Sequence, residues 1–133
     1  MAMSSTTGTT DLATDETGSL IAASKVEGTT VYNRKGDNLG HVYDVMIDKR
    51  SGQVAYAIMS FGGFLGLGER YHPLPWKILD YDTSVGGYVV DLDKDRLQGA
   101  PAYSSSERPD WHDRDYTHRI DNFYGVTPYT GWV

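Results

Sequence analysis

The sequence predicts a mainly β fold: a small antiparallel barrel or sandwich of about five or six short strands, followed by a C-terminal amphipathic helix. Between residues 29 and 92, short apolar and aromatic runs alternate with polar clusters that contain Gly, Asn or Asp, which is typical of strands joined by turns. Between residues 110 and 125 the large apolar side chains recur instead at helical spacing. Closure into a barrel is favoured because a small open sheet leaves its edges bare.

Composition narrows the function classes. The 133 residues suit one domain with tails, and the net charge of −6 leaves no basic stripe for nucleic acid. The absence of cysteine excludes disulfides and thiolate metal sites. The longest apolar run, 54–59, is far below the roughly 20 residues of a membrane helix, and the N-terminus does not resemble a signal peptide. We therefore expect a cytoplasmic protein without membrane insertion.

Residues 1–23 are rich in Ser, Thr, Gly and Asp and poor in large apolar side chains. Such a segment buries too little surface to offset the entropy lost on ordering. We therefore predict a disordered leader over 1–23, the barrel domain over 24–103 and a C-terminal tail over 104–133.

The first two strands are predicted over about 29–33 and 39–48, separated by a polar turn that contains glycine. In the second strand, one of the two alternating faces is the more apolar and is expected to point inward. That face carries Leu39, His41, Tyr43, Val45 and Ile47.

The third strand, 54–61, is apolar on both faces, so we expect both faces to be covered. Because the connection over 48–52 is short, the second and third strands must form an antiparallel hairpin.

A glycine-rich segment, 62–68, follows the third strand and carries Phe64, Leu65 and Leu67. Its spacing matches neither a dinucleotide fingerprint nor a P-loop, and a strand rather than a helix follows it, so we do not expect phosphate binding. We assign the three apolar side chains to a protein interface, because exposed apolar clusters mark interaction sites.

The next strand, 69–76, contains Pro73 and Pro75. Two prolines at this spacing remove donors from one side of a strand, which places it at an edge or makes it leave the sheet. A turn over 76–79, a second hairpin over 79–82 and 87–92, and a helical turn over 93–99 complete the predicted domain.

The tail begins with a linker, 104–109, and a helix whose N-terminal cap is predicted at Asp110 and which ends before Gly125. Its apolar stripe needs a partner surface, because an isolated helix of this length is marginal in water. We expect the tail to dock on the barrel of its own chain or of a neighbouring copy. The predicted interface residues of the tail are Trp111, Tyr116, Ile120, Phe123, Tyr124 and Trp132.

Four segments together resemble the PRC-barrel family: GHVYDVMID at 40–48, GQVAYA at 52–57, GGFLGLG at 62–68 and LPW at 74–76. Members include the cytoplasmic part of the photosynthetic reaction centre H subunit and a ribosome-maturation factor. The resemblance covers about 24–103 and implies a strongly bent β-barrel of about six strands. It also implies protein–protein assembly rather than catalysis. Unlike the H subunit, this sequence has no membrane helix before the barrel segments.

Metal sites are not expected. Asp91, Asp93 and Asp95 have the spacing that opens a calcium loop, but the glycine and glutamate that such a loop needs are missing. His112 and His118 are six residues apart, which puts them on different faces of a helix rather than at the spacing of a zinc pair.

The leading functional hypothesis is a non-enzymatic assembly module that forms a homodimer or binds another protein, without a cofactor. The alternative is a small-molecule binder with an aromatic-lined pocket at the barrel mouth or a subunit boundary. An enzyme that pairs His41 or His72 with Asp44 is the least favoured reading, because nothing in the sequence positions a nucleophile.

Overall fold

The computed structural model of the chain describes residues 16–61 and 69–127. Within these ranges, seven strands form one sheet. The strands are β1 (Thr30–Asn33), β2 (Asn38–Ile47), β3 (Val54–Phe61), β4 (Arg70–Pro75), β5 (Asp80–Asp82), β6 (Gly87–Val90) and β7 (Tyr103–Ser104). The helices are α1 (Ala23–Val26), α2 (Lys94–Gln98) and α3 (Arg114–Tyr124), with a 3-10 turn at Trp76–Ile78.

The sheet is mixed and open rather than strictly antiparallel and closed. Its strand order is β5-β6-β1-β2-β3-β4-β7, so in the described part of the chain it ends at β5 and β7 without meeting itself. The four consecutive strands β1–β4 form three antiparallel pairs. β6, however, pairs with β1 in parallel, with Val31 opposite Tyr88. A parallel pair needs a long crossover, and β2–β5 provide it here. The prediction of a wholly antiparallel sheet is therefore wrong, whereas the mainly β class is confirmed.

The hairpin of β2 and β3 is confirmed. Its turn is closed by the amide of Gly52, which donates to the Asp48 carbonyl at 2.8 Å, while the buried Asp48 carboxylate accepts from the Arg50 amide at 2.9 Å. Gly52 has a φ of 79°, a left-handed conformation that favours glycine. Local turn chemistry thus fixes the pairing of the two longest strands.

The inward face predicted for β2 is right for Leu39, which is in the main core, and for Val45, which packs against it, but wrong for His41, Tyr43 and Ile47. The register with β3 shifts between Val42 and Asp44 and again between Met46 and Ile47. The first shift is a bulge with one extra residue in β2, which interrupts the alternation of its faces, and the second has the extra residue in β3. Val42, assigned to the outward face, is consequently buried, whereas Tyr43 and Ile47 are exposed at 52% and 49%.

Both faces of β3 are covered, as predicted. Ala57 and Met59 belong to the main core, which also includes Val42 and Leu74; we call this side the inner face. Tyr56 and Ile58 point to the opposite, outer face and are also buried. A second layer must therefore cover the outer face.

The edge position predicted for β4 is largely confirmed. One side of β4 pairs with β3 along its whole length, from Phe61 opposite Arg70 to Tyr56 opposite Pro75. On the other side, β7 pairs with Arg70 and Tyr71 alone. The segment that contains the prolines therefore needs no further strand partner, in keeping with their missing donors.

Caps define the two helices after the sheet. Asp93 accepts from the Arg96 amide at 2.8 Å at the start of α2, as the sequence predicts. For α3 the predicted cap Asp110 is wrong, because the cap is Asp113, whose side chain accepts from the Asp115 amide. Asp110 instead accepts from the His112 amide in the preceding turn. Gly125 ends α3 with a φ of 69°, as expected for a left-handed C-terminal cap.

Candidate protein-interaction surface

The predicted interface residues fall into two groups. Phe64, Leu65, Leu67 and Trp132 lie outside the described residues. The other five lie in the tail, in or just before α3, and pack within the chain. These five are Trp111, Tyr116, Ile120, Phe123 and Tyr124.

The first anchor of α3 is a buried hydrogen bond to the outer face of the sheet. The Tyr56 hydroxyl donates to the Asp121 carboxylate at 2.8 Å, and both residues are buried. Burial together with the Asp121 carboxylate raises the pKa of Tyr56, and burial also raises the pKa of Asp121. The Trp111 ring packs against Tyr56 with 5.5 Å between ring centroids. This contact confirms that the tail docks on the sheet of its own chain.

The C-terminal turn of α3 has a second anchor, to α2. The Arg96 guanidinium lies over the Phe123 ring, 4.7 Å from its centroid, and also donates to the Phe123 carbonyl. Phe123 and Tyr124 pack against the main core, and burial raises the pKa of Tyr124. Ile120, next to the first anchor in the sequence, is completely buried. The stripe of α3 is thus used inside the chain, and its role in contacts with another protein remains a prediction.

A strip of β2 beside the covered part of the outer face is left exposed. The register places Asp44 opposite Ile58 and Met46 opposite Tyr56, so these β2 residues share the outer face. Tyr43 and Ile47 are the large exposed apolar side chains of this strand. We call Tyr43, Asp44, Met46 and Ile47 the β2 margin.

The β2 margin continues into a row of tyrosine rings. Tyr43 lies 4.6 Å from Tyr71, and Tyr71 lies 5.5 Å from Tyr103, measured between ring centroids. Burial and the nearby Asp44 raise the pKa of Tyr103 to about 12, and burial and Glu69 raise the pKa of Tyr71. These two phenols are therefore neutral at physiological pH. Tyr71 is itself only 7% exposed, so the row leads from the exposed Tyr43 into the protein rather than along its surface.

Sequence reasoning missed Tyr43 and Ile47 as surface residues because strict alternation assigned them to the core. One signal was present: Gly40 adopts a φ of 149°, and a Cβ there would overlap the Ser60 carbonyl of β3. A glycine within a strand marks a bulge or a close approach of backbones. Gly40 therefore indicates that the alternation of inward and outward side chains along β2 is interrupted.

The structure places His72 and Asp44, one of the two histidine–aspartate pairs considered above, on opposite faces of the sheet. His72 lies opposite Met59 and so faces the inner core, whereas Asp44 lies on the outer face. His41 shares the outer face with Asp44, whose carboxylate accepts from the adjacent Val45 amide. Within 16–61 and 69–127, no group of three or more His, Asp or Glu side chains is placed to hold a metal ion.

A cleft of about 340 Å³ opens where α3 ends against the start of β3 and the 3-10 turn. We call it the helix-end cleft. Its walls are largely apolar, with the polar groups of Lys77 and Asp121 among them. Its lining includes Val54, Tyr56, Trp76, Asp121, Val126 and Thr127.

Comparisons with known proteins support the resemblance. Residues 19–97, more than half of the chain, match the family model of the PRC-barrel domain. No curated protein matches the chain. Among solved structures, the chain is similar to a 16S ribosomal RNA processing protein, RimM, from Pseudomonas aeruginosa, with 23% sequence identity and a TM-score of 0.37. The similarity covers 55% of this chain and 44% of that one, so this chain spans less than half of that protein. None of the helices in the described ranges could cross a membrane.

Proposed function

We propose that this chain is a protein–protein interaction module, starting from the premise that it belongs to the PRC-barrel family. The observation that supports the proposal is the β2 margin, where Tyr43 and Ile47 are exposed at 52% and 49% next to buried neighbours. Large apolar side chains that stay exposed can mark interaction sites. Tyr43 is moreover an aromatic residue, and tyrosine is enriched at interfaces because it combines apolar area with a polar tip.

The partner that we propose is a second copy of the chain. Two-fold pairs are the commonest assembly, and a two-fold axis brings the same patch of each copy together. In such a pair, Tyr43 and Ile47 of each copy would be buried against the other margin.

The test is the oligomeric state of two matched double variants. Light scattering is measured on the full chain from about 10 μM to 1 mM, a range in which dimers of moderate affinity form. We expect the wild type to approach twice the monomer mass. Tyr43→Ser combined with Ile47→Ser should raise the dissociation constant at least about 30-fold, because each lost anchor costs on the order of 1–2 kcal/mol.

The control removes two other exposed apolar side chains, on the β5–β6 hairpin. Tyr81 and Val85 are exposed at 38% and 49%, so Tyr81→Ser with Val85→Ser lowers surface hydrophobicity by a similar amount. This control should dimerise like the wild type. A wild type that stays monomeric at 1 mM, or a control that dissociates as readily as the margin variant, would refute the dimer.

The second candidate function is the binding of a small molecule, and the helix-end cleft is the observation that favours it. The cleft is of a size that admits a small ring system, with Trp76 and Tyr56 in its lining. A thermal-shift screen of aromatic compounds tests it. A hit should raise the melting temperature in proportion to the logarithm of its concentration, and lose that effect in Trp76→Ala.

A further inference from the structure

A second cleft, of about 400 Å³, opens beyond the carboxyl ends of the parallel strands β1 and β6. These strands end side by side, so Arg34 and Asp91, the first residues after them, come to the same edge of the sheet. Lys77 of the 3-10 turn and Arg96 of α2 line the cleft as well, and we call it the arginine cleft. In open α/β sheets, this edge of parallel strands is where ligands bind.

The arginine cleft has a positive lining, although the chain as a whole has a net charge of −6. Three cationic side chains face two acidic ones: Arg34, Lys77 and Arg96 against Asp80 and Asp91. Arg34 and Asp80 form an ion pair at 3.5 Å, but both are exposed, so the pair is weak and a ligand can compete for the guanidinium. The excess of one positive charge favours a ligand with a single negative charge over a multiply charged phosphate.

Arg96 is held in place by the protein itself. Its guanidinium lies 4.7 Å from the centroid of the Phe123 ring and donates to the Phe123 carbonyl. A guanidinium has five N–H donors, so Arg96 keeps donors for a further acceptor. Because the side chain is already ordered, it loses less entropy when a ligand binds.

Tyr124 brings a second donor to the arginine cleft. Its side chain lines the cleft, and its hydroxyl is buried without a hydrogen-bond partner among the described residues. Burial raises the pKa of this phenol and the positive charge of Arg96 opposes the rise, so the two groups are near each other. A buried hydroxyl without an acceptor costs free energy, which an accepting ligand atom would recover.

We propose that the arginine cleft binds a small organic acid, with its carboxylate between Arg96 and the Tyr124 hydroxyl. A carboxylate has two oxygens, which can accept from a guanidinium and a hydroxyl at the same time. Ile78 and Leu92 also line the cleft and provide an apolar wall for the body of the acid. This site is separate from the β2 margin, so it does not depend on whether the chain dimerises.

The probe is sodium benzoate, which combines one carboxylate with a flat apolar ring. The full ¹⁵N-labelled chain is titrated with it up to about 20 mM at neutral pH and constant ionic strength, which detects dissociation constants in the millimolar range. Benzoate should shift the amide signals of Asp91, Leu92 and Arg96 saturably. Benzyl alcohol, an uncharged analogue, should bind at least about 10-fold more weakly, because a guanidinium recognises the charge.

Two variants test the donors, while Arg96 is kept because it also holds α3. Tyr124→Phe keeps the ring and should raise the dissociation constant of benzoate at least about 5-fold. It should not lower the melting temperature, since the hydroxyl has no hydrogen bond to lose in the described structure. Arg34→Gln should raise the dissociation constant about 3–10-fold. The matched control Arg50→Gln removes the same charge from an exposed position of the β2–β3 turn and should change it less than about 2-fold.

Several results would overturn the proposal. The absence of saturable shifts at about 20 mM benzoate would exclude the site, and equal binding of benzyl alcohol would mean that the ring alone is recognised. Tighter binding of phenyl phosphate than of benzoate would contradict the preference for a single negative charge. Shifts confined to Val54 and Ala55 would place benzoate in the helix-end cleft, which these two residues line. An unchanged affinity in both Tyr124→Phe and Arg34→Gln would exclude the two donors.

Discussion

His72 is a buried histidine whose protonation opposes folding. It is 1% exposed on the inner face of β4, and its ring nitrogens make no well-formed hydrogen bond, although the nearby backbone of Pro101 offsets a part of the pKa shift. Burial, with a smaller effect from the positive charge of Arg70, lowers the pKa of His72 from 6.5 to about 4. The folded protein therefore holds this ring neutral at a pH where the unfolded chain protonates it.

The sign and size of the effect follow from these two pKa values. Between pH 6.5 and about 4 the unfolded state binds more protons at this site than the folded state, so stability falls as the pH falls. Above pH 6.5 the contribution is fully present. Between pH 7.5 and pH 5, the free energy of unfolding should drop by about 2 kcal/mol from this residue alone, and by about 3 kcal/mol once the pH falls below 4.

The assay is urea unfolding, followed by circular dichroism, of the wild type, His72→Leu and the control His41→Leu at pH 7.5, 6.5, 5.5 and 5.0. Leucine fills the buried site without a titratable group. His72→Leu should lose about 2 kcal/mol less than the wild type between pH 7.5 and 5, because that part of the pH dependence belongs to the imidazole. His41→Leu makes the same replacement at an exposed position of β2 and is the matched control for the effect of the leucine itself.

Carboxylates also titrate near pH 5, and the comparison cancels their contribution because they are common to all three proteins. If the difference between the wild type and His72→Leu stays constant within about 0.5 kcal/mol from pH 7.5 to 5, the imidazole is not held neutral by burial. The reasoning from the inner face of β4 would then be wrong.

Four further substitutions test the packing of the sheet and of α3 by urea unfolding at pH 7.5. Gly40→Ala should cost at least about 2 kcal/mol, since the new Cβ overlaps the Ser60 carbonyl at a backbone φ of 149°. Tyr56→Phe should cost about 1–3 kcal/mol, because it leaves the buried Asp121 carboxylate without this donor, and Asp121→Asn should cost less. Ile120→Ala should cost about 2–5 kcal/mol, and an unchanged stability would mean that α3 does not pack on the sheet.

Local chemistry made several elements predictable. The β2–β3 hairpin follows from a five-residue polar link, and the end of α3 follows from a glycine where the backbone must turn left-handed. The covering of β3 on both faces follows from an apolar pattern without polar alternation. In each case a few adjacent residues determine the structure, so no distant contact can overrule them.

Other features depend on contacts that no short window contains. β1 and β6 are neighbours in the sheet, but β2–β5 separate them in the sequence. Nothing within 30–33 or 87–90 specifies that these two strands pair in parallel. α3 is capped by Asp113 rather than by the predicted Asp110. Both aspartates can cap a helix, but Asp110 accepts from the His112 amide in the turn before it. The bulges of β2 follow from the fit of two strands, which periodicity alone does not reveal.

The dimensions of a helix explain why part of the outer face stays exposed. With side chains, an α-helix is about 10–12 Å wide, and strands lie about 4.8 Å apart, so one helix covers about two strands. α3 lies against β4 and reaches β3 at Tyr56, and its anchors at Asp121 and Arg96 hold it there. α3 cannot shift towards β2 without breaking the contacts of both Asp121 and Arg96. Covering the apolar side chains of the β2 margin therefore requires a surface from outside this helix, and in the dimer proposed above a second copy of the chain would supply it.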